Sequence, residues 1–217
     1  MTAQLDIASD LHCQWAYICI LRLIKLRDEL DLDLVIHHLY WPLELVNGWG
    51  LPQHILGVEI PVLAQHEPDA FARWRGDNWP STFLPAFELV KAAEEQGLKA
   101  AESLDSALRR AFFFEQKNIS LRTKLLEIAE GVDGVEFCAL KDAFDSGRSR
   151  LVVLSEYEAV NKRGVQGSPD VYLPGGERIH NPGMSLKVEQ GIPYIIQEDK
   201  SVYKRILEEA MDSYIAA

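Results

Sequence analysis

Cys13 is the residue of this chain best placed to do chemistry. The segment before it, Gln4 to Ser9, alternates polar and apolar residues as a short strand does, and from Cys13 to about Glu29 apolar residues recur at helical spacing. Cys13 therefore stands in the first turn of a helix, where free backbone N–H groups and the helix dipole stabilise a thiolate. We expect the pKa of the thiol to lie below its free value of about 8.5, and a protonated His12 would lower it further. The alternative is a buried, inert cysteine.

The remaining cysteines and the histidines are weaker candidates. Cys19 follows Cys13 by six residues, which places it on another side of the helix and roughly 9 Å further along, too far for a disulfide. We interpret Cys19 and Cys138 as core residues. No metal site is predicted, because the histidines either point to opposite faces of one strand or lack further ligands at suitable spacing: His37, His38, His54 and His66.

Strand, helix and strand follow one another at the start of the chain. Leu34 to Tyr40 is rich in β-branched and aromatic residues and predicts a second strand parallel to the first. After Gly164 the pattern returns to β, with Val171 to Leu173 and Glu177 to His180 as an antiparallel pair, and Ser201 to Ile215 as a final amphipathic helix. Between these parts lies a series of helical segments that begin at Pro68, Ser81, Ser103, Ser120, Val135 and Arg148. The pattern predicts an α/β sheet domain with an all-helical middle.

The segment from Trp41 to Pro61 is predicted to be an irregular loop, because prolines and glycines recur throughout it. It also carries the bulky residues Trp41, Trp49 and Leu51, which would pack down or line a cavity next to the cysteine. Apolar surface in this loop would suit a homodimer contact.

The net charge, the apolar stretches and the number of cysteines argue against several classes of partner and cellular location. The 217 residues carry a formal net charge of −11, which argues against nucleic acid or an anionic membrane as a partner, since both require clustered Lys and Arg. The N-terminus lacks the basic start and apolar run of a signal peptide, and no apolar stretch is long enough to span a bilayer. Three cysteines do not form a disulfide framework. We therefore expect a cytoplasmic protein in a reducing environment.

The segment around Cys13 resembles the active site of the DsbA-like branch of the thioredoxin superfamily. Those proteins typically show Asp, two residues and then Cys-Pro-Trp-Cys-Tyr, and this chain matches at four positions: Asp10, Cys13, Trp15 and Tyr17. It departs at Gln14, which replaces the proline, and at Ala16, which replaces the second cysteine. The same branch includes kappa-class glutathione transferases and 2-hydroxychromene-2-carboxylate isomerases, which also lack the two-cysteine motif and typically have Ser at the first position.

Three later segments extend the resemblance over nearly the whole chain. Phe83 to Gly97 and Ala107 to Ser120 are similar to helices of the family's insertion, and Gly164 to Pro169 resembles its Gly-Val-x-Gly-Val-Pro segment. The resemblance implies a thioredoxin fold formed by residues 1–62 and 151–217, with residues 63–150 as an inserted α-helical domain. It also implies that Pro169 is cis and faces the cysteine, with the backbone of Ser168 exposed to substrate. Asp170 replaces the family's usual Thr, and its charge would disfavour anionic ligands.

The leading functional hypothesis is a thiol-disulfide oxidoreductase-like enzyme that works as a monothiol. Cys13 would be the nucleophile, and a small thiol such as glutathione would resolve the mixed disulfide. The substrate-binding residues would be His12, Gln14, Trp15, Ser168 and Pro169. The partners would be small thiols or disulfides, and no tightly bound cofactor is expected. Two alternatives remain open: a glutathione-type transferase or isomerase, and a non-catalytic binding protein that keeps the fold.

Overall fold

A four-stranded mixed sheet forms the centre of the molecule. The computed structural model describes residues 2–75 and 78–215. The strands lie in the order β2-β1-β3-β4 and comprise β1 (Ala3–Ser9), β2 (Leu34–Tyr40), β3 (Asp170–Tyr172) and β4 (Arg178–His180). β1 pairs with β2 in parallel, while β3 is antiparallel to both β1 and β4. The predicted α/β class, the parallel first pair and the antiparallel second pair are confirmed.

Helices cover both faces of the sheet. On one face, Leu5 and Ile7 of β1 pack against α1 (Gln14–Glu29) and α9 (Ser201–Ile215). On the other face, Ala8 and Leu39 contact Val160 of α8 (Ser149–Lys162). β1 can be covered on both faces because its apolar residues are not confined to alternate positions, as is usual for a central parallel strand.

The middle of the chain is helical, and its helices share one large apolar core with the start of α1 and the end of β2. The elements between β2 and α8 are α2 (Leu43–Asn47), α3 (Gln53–Leu63), α4 (Leu84–Glu94), α5 (Leu98–Phe113), α6 (Arg122–Glu130) and α7 (Phe137–Asp145). The division into residues 1–62 with 151–217 and residues 63–150 stays a prediction; its two boundaries fall inside α3 and α8.

The predicted loop from Trp41 to Pro61 is wrong, because this segment contains both α2 and α3. Gly48 ends α2 in a left-handed conformation, and Pro52 directly precedes α3. Pro61 lies inside α3, where its missing N–H removes one hydrogen bond of the helix, and α3 ends two residues later at Leu63. The helix predicted to begin at Pro68 is also absent, since residues 68–70 form a turn.

A hairpin that the sequence pattern did not indicate precedes α9. β5 (Met184–Glu189) and β6 (Ile192–Glu198) pair in an antiparallel manner. Gln190 and Gly191 both have positive φ, as a tight two-residue hairpin turn requires. None of the helices in the described part of the chain combines the length and the apolar character needed to cross a bilayer.

Candidate active site

The thiol of Cys13 lies where β1 passes into α1. Cys13 is the residue that precedes α1, its backbone is extended, and its carbonyl accepts the amide of Tyr17 as the first turn begins. The Cys13 Sγ donates to the carbonyl oxygen of Ser168 at 3.1 Å. The Ser168–Pro169 peptide bond is cis, which is the isomer that the resemblance implies. The structure therefore brings Cys13 and the segment before Pro169 into direct contact.

A cleft of about 310 Å³ opens beside the sulfur. Its walls include four of the residues predicted from the sequence to contact substrate, together with Cys13 itself: His12, Gln14, Trp15 and Ser168. Pro169 is buried behind Ser168 and does not line the cleft. The roles of these residues in substrate binding stay predictions.

The expectation that Cys13 has a lowered pKa is wrong in this structure. Burial raises the pKa of the thiol, and the negative charges of Asp10 and Glu59 raise it further. The Ser168 side chain and the amide of Ala16 act in the opposite direction but are weaker, so the pKa rises to about 11. The physical reason is that apolar side chains surround the thiol: Leu43 on α2, Leu51 just before α3 and Ile55 on α3 line the cleft, and Cys13 is only 6% exposed.

Asp10 supports the backbone around Cys13. Its side chain is fully buried and accepts the amide of His12 at 2.6 Å and the amide of Leu43 at 2.5 Å, while its own amide donates to the Ser168 hydroxyl at 2.8 Å. Asp10 therefore fixes the turn before α1, the start of α2 and the loop before Pro169 relative to one another. This is the structural role that an aspartate at a helix start commonly plays.

The His12 ring is positioned by two neighbours, Phe83 and Asp10. Its ring packs on Phe83 with the centroids 4.4 Å apart, and its Nδ1 lies 2.8 Å from Asp10 Oδ1 without the alignment of a hydrogen bond. Phe83 belongs to the segment just before α4, so the helical middle of the chain fixes this ring. The imidazole is oriented toward Asp10 and Phe83, which leaves the thiol without a cationic neighbour.

Trp15 and Glu59 form part of the cleft wall and contact each other. The indole Nε1 of Trp15 donates to Glu59 Oε2 at 2.9 Å. Burial raises the pKa of the Glu59 carboxyl, and the bond from Trp15 opposes this rise. Glu59 could not be found from the sequence, because it lies on α3 in the segment interpreted as a loop.

The sequence suggested that the charge of Asp170 would disfavour anionic ligands. In the structure, however, Asp170 is not a free charge next to the ligand. It is fully buried, and its Oδ2 accepts the amide of Gln166 at 2.7 Å. Its Oδ1 lies 2.8 Å from His180 Nδ1, and Arg178 Nε lies 3.4 Å from Oδ2. His180 is a cleft residue that the sequence reasoning missed, although the predicted antiparallel pair would have placed it opposite Asp170.

The other two cysteines lie away from the cleft. All three cysteines of the chain are free thiols. Cys19 is buried in the core between the sheet and α9, as predicted. Cys138, predicted to be a core residue, is exposed on α7, because the first turn of that helix faces solvent where the Glu136 side chain caps it. In the described part of the chain, no group of three or more metal-ligating side chains is placed to hold a metal ion.

Solved structures share this architecture over nearly the whole chain. A probable DsbA oxidoreductase from Streptomyces coelicolor matches with a TM-score of 0.66 at 18% identity, covering 97% of this chain and 90% of that one. A 2-hydroxychromene-2-carboxylate isomerase matches with a TM-score of 0.63 at 17% identity, covering 98% and 96%. The cytosolic disulfide reductase DsbM from Pseudomonas aeruginosa, also solved with GSH, matches with a TM-score of 0.59 at 18% identity, covering 99% and 100%. No family model and no curated protein matches the chain.

These likenesses establish the fold. The chain has the DsbA-like thioredoxin fold with an inserted set of helices, as the sequence resemblance implied. It differs from the two-cysteine pattern of that branch because Ala16 stands where the second cysteine would be.

Proposed function

We propose that this protein is a thiol-disulfide oxidoreductase-type enzyme that acts through Cys13 as its single nucleophile, together with a small thiol. The observation that carries the proposal is the position of the Cys13 sulfur. It lies at the N-terminus of α1, against the carbonyl of the residue before a cis proline, and on the wall of an open cleft. The fold shared with disulfide reductases and oxidoreductases supports the same reading.

The reaction follows from a single reactive sulfur. The Cys13 thiolate attacks one sulfur of a disulfide, a mixed disulfide forms, and the other half leaves as a thiolate that takes up a proton. Ala16 supplies no sulfur, and Cys19 is buried in a different core, so no internal disulfide can close. A second, small thiol must therefore release the product by attacking the mixed disulfide. Two electrons pass from the small thiols to the substrate, and Cys13 is regenerated.

Glutathione or another low-molecular-weight thiol is the proposed co-substrate, and no tightly bound cofactor takes part. The structure of DsbM with GSH supports this choice. Such thiols are abundant in reducing compartments, so a cytoplasmic location fits the proposed cycle.

A transferase or isomerase is the second candidate, and one observation favours it. Burial raises the pKa of Cys13 to about 11, so the resting sulfur is a thiol. Its single hydrogen, which is donated to the Ser168 carbonyl, can be redirected to the sulfur of a bound small thiol. In this alternative the small thiol is the reagent and Cys13 positions it. The likeness to 2-hydroxychromene-2-carboxylate isomerase supports this candidate.

The test separates the two candidates by following the fate of the sulfur. A Cys138→Ser background removes the exposed thiol, and Cys13→Ser in the same background is the matched control. Incubation with glutathione disulfide should add one glutathionyl group to Cys13 by intact mass, and reduced glutathione should remove it. Reduction of a small disulfide by glutathione should depend on Cys13. Turnover of an electrophile with no adduct on Cys13 would instead support the transferase or isomerase.

A further inference from the structure

Asp170 and His180 form a carboxylate–imidazole pair, and His180 lines the same cleft as Cys13. They face each other as a cross-strand pair of β3 and β4. The Asp170 side chain is fully buried, whereas His180 keeps about 36% of its side chain exposed. Asp170 Oδ1 and His180 Nδ1 are 2.8 Å apart. The buried Asp170 carboxylate therefore orients the His180 imidazole through Nδ1, and part of the imidazole ring stays accessible.

The hydrogen bonds of this pair define which nitrogen carries the proton. An ionised carboxylate only accepts hydrogen bonds, so His180 Nδ1 must be the protonated nitrogen. In the neutral ring, Nε2 then carries a lone pair. The Asn181 side-chain amide, with Nδ2 at 3.2 Å from Nε2, can donate to that lone pair. His180 thus presents a proton acceptor on its accessible side when the Asn181 side chain turns away from Nε2.

Gly167 brings this ring against the loop that holds Cys13. A Cβ at Gly167 would lie 2.5 Å from His180 Cε1, so only glycine permits the ring to lie this close to the backbone. The next residue, Ser168, accepts the Cys13 thiol through its carbonyl. Cys13, Ser168 and His180 line the same cleft. The His180 imidazole therefore packs against Gly167, which directly precedes Ser168, the hydrogen-bond partner of the thiol.

The proposed function requires a base at this position. Cys13 is only 6% exposed and has Asp10 and Glu59 as its charged neighbours, and no lysine or arginine lines the described walls of the cleft. A thiol in such a site is not a nucleophile until another group accepts its proton. His12 is oriented toward Asp10 and packs on Phe83.

We propose that His180 is the proton acceptor that activates Cys13, with Asp170 as the positioning residue that orients the imidazole. The inference rests on the function proposed above and extends it. The proton of the Cys13 thiol moves to His180 Nε2, and the Asp170 carboxylate stabilises the imidazolium. The thiolate then forms a bond to one sulfur of the disulfide. As the disulfide breaks, the leaving thiolate takes the electron pair and recovers the proton from His180 Nε2.

Other charged groups lie around His180 on the surrounding elements. They are Asp170 on β3, Arg178 on β4, His12 before α1, Glu59 on α3, and Asp199 and Arg205, which share a neighbouring pocket with His180. Any variant of His180 must therefore be compared at equal ionic strength.

The experiment measures alkylation of Cys13 by iodoacetamide, which needs no disulfide. In the Cys138→Ser background, His180→Ala should slow the alkylation of Cys13 at about pH 7 by roughly ten- to a hundredfold. The rate in this variant should rise about tenfold per pH unit, following the thiolate fraction, whereas the parent protein should show a shallower dependence. Added imidazole should restore part of the rate in His180→Ala and leave the parent unchanged.

His66→Ala is the matched control, because His66 also pairs with a carboxylate, Glu198 at 3.1 Å, but outside the cleft. It should leave the alkylation rate unchanged. A folded His180→Ala variant with the parent rate and the parent pH profile would overturn the inference, and so would failure of imidazole to rescue a slowed variant. The two proposals fail separately. If Cys13 forms no adduct with glutathione disulfide but its alkylation still depends on His180, only the oxidoreductase function is contradicted. If His180→Ala forms the adduct at the parent rate, only the role of His180 is contradicted.

Discussion

At the scale of single residues, the reactivity of Cys13 depends on two opposing effects on the pKa of its thiol: burial raises it, and the start of α1 lowers it. The rise of its pKa from the ordinary value to about 11 corresponds to about 3 kcal/mol against the thiolate. The Ala16 amide at the start of α1 and the Ser168 side chain do not offset that cost. The position of the thiol alone therefore does not activate it, and a proton acceptor in the cleft becomes part of any nucleophilic mechanism.

A substitution at Gly167 tests the role of the His180 ring in activating Cys13 without removing any polar side chain. Gly167→Ala places a methyl group 2.5 Å from His180 Cε1, so the ring must rotate away and lose its bond with Asp170. We expect the alkylation rate of Cys13 at about pH 7 to fall roughly tenfold, with a loss of stability of about 1 kcal/mol. The alkylation rate and urea denaturation measure the two effects.

Gly175→Ala is the control for that variant, because a Cβ at Gly175 meets no heavy atom within 4 Å. It should leave the rate and the stability unchanged. If Gly167→Ala retained the parent rate while its fold stayed intact, the position of the His180 ring would not matter to Cys13.

At the scale of secondary-structure elements, most of the sheet and its two covering helices could be predicted from the sequence. The predicted bounds of β2 and α9 agree with the structure, and Cys13 does precede α1. These elements carry clear periodic patterns of apolar residues and end at residues that interrupt them. The candidate nucleophile followed from its place between β1 and α1, whereas its contact with the Pro169 segment followed from the resemblance to the DsbA-like branch.

The parts of the site that the sequence did not reveal depend on tertiary context. α3 contains Gly57 and Pro61, so its local sequence favours a loop, and packing against α1 overrides that preference. Because α3 was missed, the cover over Cys13 and the carboxylate of Glu59 were missed as well. Burial is a property of the folded chain, and the pKa of Cys13 could not be derived from its place at a helix start alone.

His37 connects two strands to the helical middle through a pH-sensitive link. Its Nδ1 lies 3.0 Å from Asp6 Oδ1 on β1, and its Nε2 lies 3.0 Å from Glu94 Oε1 on α4. Burial lowers the pKa of His37, but the bonds with Asp6 and Glu94 outweigh burial and raise it to about 9. The imidazolium is therefore more stable in the folded chain than in the unfolded one.

This link predicts how stability changes with pH. Because the folded pKa is raised, the contribution of His37 is full below the unfolded pKa of about 6.5 and is lost as the pH rises through about 9. We expect it to be about 1–2 kcal/mol, allowing for solvent screening of a partly exposed group. In urea denaturation, the free energy of unfolding of the parent protein should therefore fall by this amount between about pH 6 and about pH 9.5, and His37→Gln should lose this difference. The exposed His54→Gln should keep it, and an unchanged difference in His37→Gln would contradict the assignment.

At the scale of the whole molecule, buried polar groups fix the helical middle against the site. Arg109 of α5 is fully buried, and it donates to the carbonyl of Asp10 at 2.8 Å and to the Ser9 hydroxyl at 3.1 Å. Asp105 neutralises it at 2.7 Å and also accepts the Tyr40 hydroxyl. The turn that positions Cys13 is therefore held by a helix of the insertion, so the insertion contributes to the geometry of the cleft.

The net charge of the molecule sets which disulfides approach this cleft readily. The chain carries a formal charge of −11, and Glu59 on the cleft wall has no lysine or arginine beside it among the lining residues. Glutathione disulfide is itself an anion, so the long-range field slows its approach, and salt screens that field. A neutral disulfide such as 2-hydroxyethyl disulfide meets no such barrier.

The rate at which glutathione disulfide modifies Cys13 should therefore rise by about two- to fivefold when the ionic strength increases from about 10 mM to about 200 mM, since the screening length falls from about 30 Å to below 10 Å. The rate with 2-hydroxyethyl disulfide should stay constant over the same range, which controls for effects of salt on the protein. Glu59→Gln should narrow the difference between the two disulfides at low salt. A rate with glutathione disulfide that falls as salt is added would mean that cations guide it to Cys13, in conflict with the charge around this cleft.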